Sequence, residues 1–164
     1  MKRKEVGQIK MENARIIFRN FSGKADKYNP KGGARKFSVV IEDPEMAEEL
    51  KKDGWNVKQL KPRSEDEEPN YHLSVKVNYD NRPPKIYLIT KHHKTLLNEE
   101  TVDSLDYADI SKVDLVISPY PYNVNGSEGI AAYLKAMYVN VIEDDFADKY
   151  NFDEDDEEDE LPFD

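Results

Sequence analysis

The chain has 164 residues, with 34 acidic against 24 basic side chains and no cysteine. The missing cysteine excludes disulfides, thiolate metal sites and cysteine nucleophiles together, and the length suits one domain with a self-sufficient core. No apolar run approaches membrane-spanning length and the N-terminus lacks an apolar leader segment, so a soluble protein of the cytoplasm, with no membrane partner, is expected.

In chain order, Gln8–Phe18 reads as a first strand, with Ala14, Ile16 and Phe18 sharing one face. Asn20–Ala34 (NFSGKADKYNPKGGA) carries three glycines and a proline and is a loop. Arg35–Glu42 is a second strand, with Phe37, Val39 and Ile41 in phase. Asp43-Pro44-Glu45 then opens a helix: a capping acid, a proline at the first helical position and acid in the first turn. Lys51-Lys52-Asp53-Gly54 closes it, with cations in the last turn and a glycine stop. Trp55–Leu60 resumes as a strand, and Pro62–Asn70 is an acidic loop. Tyr71–Val77 alternates cleanly, with Tyr71, Leu73, Val75 and Val77 opposite His72, Ser74 and Lys76. Asn78–Pro84 turns the chain into a strand over Lys85–Lys91. His92–Ile110 is irregular or weakly helical. Lys112–Ser118 is a strand that Pro119-Tyr120-Pro121-Tyr122 breaks, and Asn123–Gly129 is a turn. Ile130–Ile142 is the last strand, with Tyr133 and Tyr138 on opposite faces by strict alternation. Seven strands, one helix and no parallel βαβ rhythm point to a mainly β domain, a small antiparallel barrel or sandwich.

The charge is distributed unevenly. From Glu143 onward there are 13 acidic residues and one lysine, net −12, while Met1–Ile41 holds 11 Lys+Arg against three acids, net +8. Residues 1–142 therefore read as the domain and 143–164 as an acidic tail. Eight acids run unbroken from Asp153 to Glu160. Like charges repel and nothing apolar offsets the ordering entropy, so the tail is expected to be disordered. A bare acidic run is most simply a solubiliser. The Leu161-Pro162-Phe163 plug after it argues instead for a docking peptide, in which charge steers and the phenylalanine anchors.

Catalytic patterns are missing. His92 and His93 are adjacent, so on a strand they point to opposite faces and do not share a metal, and His72 fits a solvent face. Asp80, Asp103, Asp106 and Asp109 sit in turn-like contexts where aspartate needs no chemical role. Gly32-Gly33 lacks the lysine and hydroxyl of a phosphate loop. No metal or cofactor is expected, and the reading is a binding protein, not an enzyme. What the sequence offers is cations interleaved with aromatics: Arg15, Arg19, Lys24, Lys27, Lys31, Arg35 and Lys36 among Phe18, Phe21, Tyr28 and Phe37. Single-stranded nucleic acid needs this pairing, cations tracking phosphates and aromatic faces stacking bases at about 1–3 kcal/mol each. Phe18 and Phe37 lie in phase with apolar neighbours and are better read as core. Phe21 and Tyr28, in the polar loop, are better read as stacking platforms. Trp55 is divided evenly between core and platform, and Tyr120 and Tyr122 form a plausible second platform.

The segments NFSGKADKYNPKGGARKFSVVIEDPE, GWNVKQLKPR, NRPPKIYLI and NGSEGIAAYLKAMYV resemble those of phage-encoded single-stranded-DNA-binding proteins, over most of Ile9–Tyr150. The resemblance implies an OB-fold-like antiparallel barrel, here with one short helix after the second strand, and an acidic C-terminal tail. Asp159-Glu160-Leu161-Pro162-Phe163 is similar to the Asp-Asp-Asp-Ile-Pro-Phe tip of bacterial single-stranded-DNA-binding proteins, which recruits replication and repair partners. Asp164 departs from that tip, whose phenylalanine ends the chain. The expected function is sequence-independent binding and protection of single-stranded DNA in phage replication, recombination and repair. Replication and recombination proteins would be partners through the tail, which would compete with DNA for the basic groove; a homo-oligomer is compatible with this. Two rivals are an adaptor or DNA mimic whose acidic tail is the active part, and a Mg²⁺ nuclease. The +8 front argues against the first, and the second lacks clustered carboxylates.

Overall fold

The computed structural model describes residues 7–25, 30–60, 70–80 and 82–142; the acidic tail, 143–164, lies outside the described residues. Within them the chain is mainly β, with nine strands and one α-helix. The expected first strand is two strands, β1 (Ile9–Ala14) and β2 (Ile16–Asn20), joined at Arg15. They are followed by β3 (Arg35–Ile41), α1 (Pro44–Asp53), β4 (Val57–Leu60), β5 (Asn70–Val77) and β6 (Lys85–Ile89). Then come β7 (Lys94–Leu97), β8 (Ile110–Val124) and β9 (Ser127–Val141). The stretch expected to be irregular or weakly helical supplies β7 and a 3-10 turn, Val102–Asp106.

The strands are ordered β1-β8-β9-β5-β3-β2, with β4 also on β5 and β6-β7 also on β9. The two ends of this path are the consecutive strands β1 and β2. The path therefore returns to its start through the backbone at Arg15, whose carbonyl accepts a hydrogen bond from Val40 N–H at 2.9 Å. This is an OB-like arrangement in which the two ends of the sheet are joined by one bent segment of chain. Most pairings are antiparallel, but β9 runs parallel to both β5 and β6, so the sheet is mixed.

Proline chemistry explains why β8 continues where a break was expected. Pro119 and Pro121 pair opposite Ala132 and Ile130 of β9, and β1 reaches along β8 only as far as Ile117. Both prolines share one parity, so their missing N–H groups face the side where no described strand pairs. The helix follows its sequence signals. Asp43 Oδ1 accepts from Glu45 N–H at 3.0 Å, and Gly54, at φ 108°, takes the left-handed turn that ends it. Ala47 and Leu50 are its buried face.

The core is lined by Phe37, Val39, Ile41, Leu73, Val75, Ile86, Val113, Leu115, Ile117, Met137 and Val139, and Phe21 joins them at 0% exposure. Phe21 stacks on Phe37 with ring centroids 5.3 Å apart. The loop base holds it there. Asp106 accepts from Phe21 N–H at 2.6 Å and Ser22 N–H at 3.2 Å, and Asn20 Oδ1 accepts from Gly23 N–H and Lys24 N–H. Trp55 is also buried, at 3% exposure, with a backbone bridge to Ile130. No helix among the described residues is long and apolar enough to cross a membrane.

Phe21→Ala should destabilise the protein by about 3–5 kcal/mol in denaturant unfolding, as for other fully buried phenylalanines. A loss under 1 kcal/mol would contradict this core role.

Candidate nucleic-acid interface

Alternation along β3 and β5 fixes what the barrel presents outward. Phe37, Val39, Leu73 and Val75 point in, so Lys36, Ser38, His72, Ser74 and Lys76 share the other face. Across the β3–β5 ladder Lys36 lies directly opposite Lys76, and on the far side of β5 Lys58 lies opposite His72.

Three aromatic groups accompany these cations. The first is Phe18. The β2–β3 register shifts between Ile17 and Asn20, and Phe18 sits in that irregularity at φ 53°, 64% exposed. The sequence expectation of a core residue is thereby overturned: the bulge moves Phe18 out of phase with Ala14 and Ile16. Left-handed backbone is a strained state for a bulky side chain. The ring meets His72 edge-on at 5.5 Å, and His72 Nδ1 lies 3.1 Å from the hydroxyl of buried Ser38. Burial, and secondarily the charge on Lys58, hold the His72 pKa below its ordinary value, which keeps the ring neutral at pH 7.

The second group is Tyr133 with Tyr120, edge-to-face at 5.5 Å, with Lys76 Nζ 5.7 Å from the Tyr133 ring centre. The third is Tyr138 stacked on Tyr87 at 5.0 Å, with Lys94 Nζ 4.4 Å from the Tyr87 ring centre. Strict alternation put Tyr133 and Tyr138 on opposite faces. The β8–β9 register shifts between Val116 and Ile117, the buried positions on β9 change from Ala132 and Leu134 to Met137 and Val139, and both tyrosines emerge on the outside. From Phe18 on β2 to Tyr133 on β9 is three strand steps, roughly 14 Å, and five residues along β9 separate Tyr133 from Tyr138 by roughly 16 Å. Beside Tyr120 and Tyr133 lies a groove of about 850 Å³ whose charged lining among the described residues is Arg82, Lys85 and Lys135. Asp114, opposite Tyr138 on β8, has its carboxylate occupied by Asn13 N–H at 2.8 Å.

The residues singled out from sequence are dispersed. Phe21 and Trp55 are core and offer no face to a base, which corrects the expectation that Phe21 stacks and resolves the even division over Trp55. Arg19 donates through Nη1 to the carbonyls of Leu105 and Ala108, both at 2.7 Å. Arg35 donates through Nε to the Phe21 carbonyl and pairs with Glu99 at 3.3 Å. These two arginines fasten the loop base. Arg15 is exposed at the β1–β2 junction and Lys31 in the loop, while Lys24 Nζ lies 5.9 Å from the exposed Tyr107 ring. Tyr122 packs over Gly129, where a Cβ would come within 2.5 Å of its hydroxyl, and that hydroxyl accepts from Asn56 Nδ2. Only Lys36 and Tyr120 of the set lie on the face just described. Lys27 and Tyr28 lie outside the described residues, as do Asp159, Glu160, Leu161, Pro162 and Phe163. His72 and Lys76 were legible as one face from alternation alone; Phe18, Tyr133 and Tyr138 required the bulges. Among the described residues no three His, Asp or Glu side chains converge as metal ligands would.

Residues 1–161 match the model of the phage ssDNA-binding domain. The chain belongs to that family. No curated protein matches it. Among solved structures, the single-stranded DNA-binding protein from bacteriophage Enc34 superposes with a TM-score of 0.55 at 12% identity, over 92% of this chain and 89% of that one. The same phage protein in complex with ssDNA gives a TM-score of 0.55 at 14% identity, over 84% and 88%. At such identities the likeness concerns the fold. This family member therefore shares its barrel with a phage protein that has been captured on a single strand.

The lowered pKa of His72 has a definite sign. The fold favours the neutral ring, so the unfolded chain binds more protons and stability rises with pH. This contribution is complete above the ordinary histidine value of 6.5 and is lost as pH falls through the lower folded value. Unfolding midpoints measured below pH 6.5 should fall less steeply for His72→Gln than for the unaltered protein; parallel slopes would show that the ring is not held neutral.

Proposed function

We propose that the outer face of β2, β3, β5 and β9 binds single-stranded DNA through contacts that do not themselves read its sequence, and so protects it during phage DNA replication and recombination. The observation that carries this reading is the opposed Lys36–Lys76 pair with Phe18 on one side of it and Tyr133–Tyr120 on the other. Cations opposed across a ladder suit a phosphate chain, and aromatic faces on both sides suit its bases. Family membership and the captured strand on the Enc34 protein support the same ligand. Phe18 replaces Phe21 and Trp55 as the principal stacking group. Its strained backbone is a cost the fold bears in order to hold the ring outward.

The acidic segment fits as a competitor. With net charge −12 on the same chain, Glu143–Asp164 is attracted to the basic face when DNA is absent and is displaced when a strand arrives. Once free, Asp159-Glu160-Leu161-Pro162-Phe163 is available to recruit replication proteins, with Phe163 as the apolar anchor.

Two measurements test this. Phe18→Gly removes the ring and also the strain, since glycine accepts positive φ. Its unfolding free energy should rise by about 1 kcal/mol, while affinity for oligo-dT falls by roughly fivefold to a hundredfold. Unchanged affinity would remove Phe18 from the interface. In anisotropy titrations over a salt series, the log–log slope should approach about −0.7 per phosphate contacted, and removal of residues 143–164 should strengthen binding at low salt. Equal affinities with and without the tail would refute the competition.

A further inference from the structure

The groove beside Tyr120 and Tyr133 differs in chemistry from the open face. Its walls carry hydrogen-bonding side chains as well as cations. Gln8 Nε2 donates to Ser118 Oγ at 3.3 Å, a bond that leaves the amide oxygen and the second amide hydrogen of Gln8 to offer elsewhere. Arg82, also lining the groove, adopts φ 54° and is followed by Pro83 and buried Pro84, whose rings restrict the backbone on its C-terminal side. Lys85 and Lys135 complete a rim that carries no acid among the described residues. Tyr133 belongs both to the groove and to the open face, where Lys76 lies against its ring.

We propose that this groove is a base-reading pocket. One nucleotide of a bound strand leaves the open face at Tyr133, and its base edge meets Gln8 and Ser118. Arg82, Lys85 and Lys135 hold the phosphates on either side. The inference rests on the single-strand reading of the face and adds to it a preference for base identity at one position. An acidic peptide would satisfy the same cations. The continuity through Tyr133 with the stacking face, and the amide–hydroxyl pair within the groove, favour a nucleotide.

The test uses the full chain and equal-length homopolymers of dA, dC and dT in competition anisotropy. The protein should rank them with a spread of about fivefold or more, the effect of one modest hydrogen bond. A Gln8→Ala/Ser118→Ala double variant should compress the spread to within about twofold. A full chain that binds all three alike, or a double variant that keeps the ranking, overturns the pocket while leaving the open face intact. Loss of binding to every homopolymer by the unaltered chain overturns the single-strand reading and the pocket with it. A second readout does not depend on the variant folding. The Gln8 side-chain amide signals should shift when the preferred homopolymer is added. No shift with the strand bound overturns the proposal, as does a shift of those signals caused by Phe163→Ala in DNA-free protein, which would assign the groove to the tail.

Discussion

The constraint on which the structure depends is that the two ends of one twisted sheet are consecutive in the chain, β1 and β2 meeting at Arg15. A strand that belongs to both ends of the sheet has to bend, and the ladder accommodates the bend by irregular pairing. Register shifts occur on β1 between Met11 and Ala14, on β2 between Ile17 and Asn20, and on β8–β9 between Val116 and Ile117. Each changes the phase of the residues beyond it on the strand. The β2 irregularity expels Phe18 from the core, and the β8–β9 irregularity brings Tyr133 and Tyr138 to a common outer surface. The irregular pairing that curves the sheet therefore also distributes the exposed rings.

The described base of the loop between β2 and β3 is tied into the fold. Asp106 gathers two backbone N–H groups, Asn20 gathers two more, and Arg19 reaches the carbonyls of Leu105 and Ala108. This network joins the loop base to the 3-10 turn across some eighty-five residues of sequence. Hydrogen bonds to charged groups are the stronger kind, and here they fix the ring of Phe21 against Phe37. Basic residues near a functional face can thus be fasteners, and a count of cations by segment does not distinguish the two roles.

How much the sequence disclosed can be judged element by element. Helix α1 was fully legible because Asp43, Pro44 and Gly54 each act locally through backbone geometry. The strand β5 was legible because its alternation is unbroken, and the mainly β barrel followed from strands like it. Phe21 was not legible: its neighbours in sequence are polar, and its burial depends on Asp106, a long-range partner. Phe18 was misplaced for the converse reason, since alternation with Ala14 and Ile16 is sound until a bulge intervenes. The prolines of β8 were read as a break because the sequence does not reveal which side of the strand lacks a partner.

Those two prolines have a consequence for how copies of the protein can sit beside one another. A sheet edge recruits foreign strands through its regular row of donors and acceptors, and at Pro119 and Pro121 that row lacks two donors. A foreign strand approaching there finds two fewer donors to pair with, so contact between copies along that stretch falls to side chains.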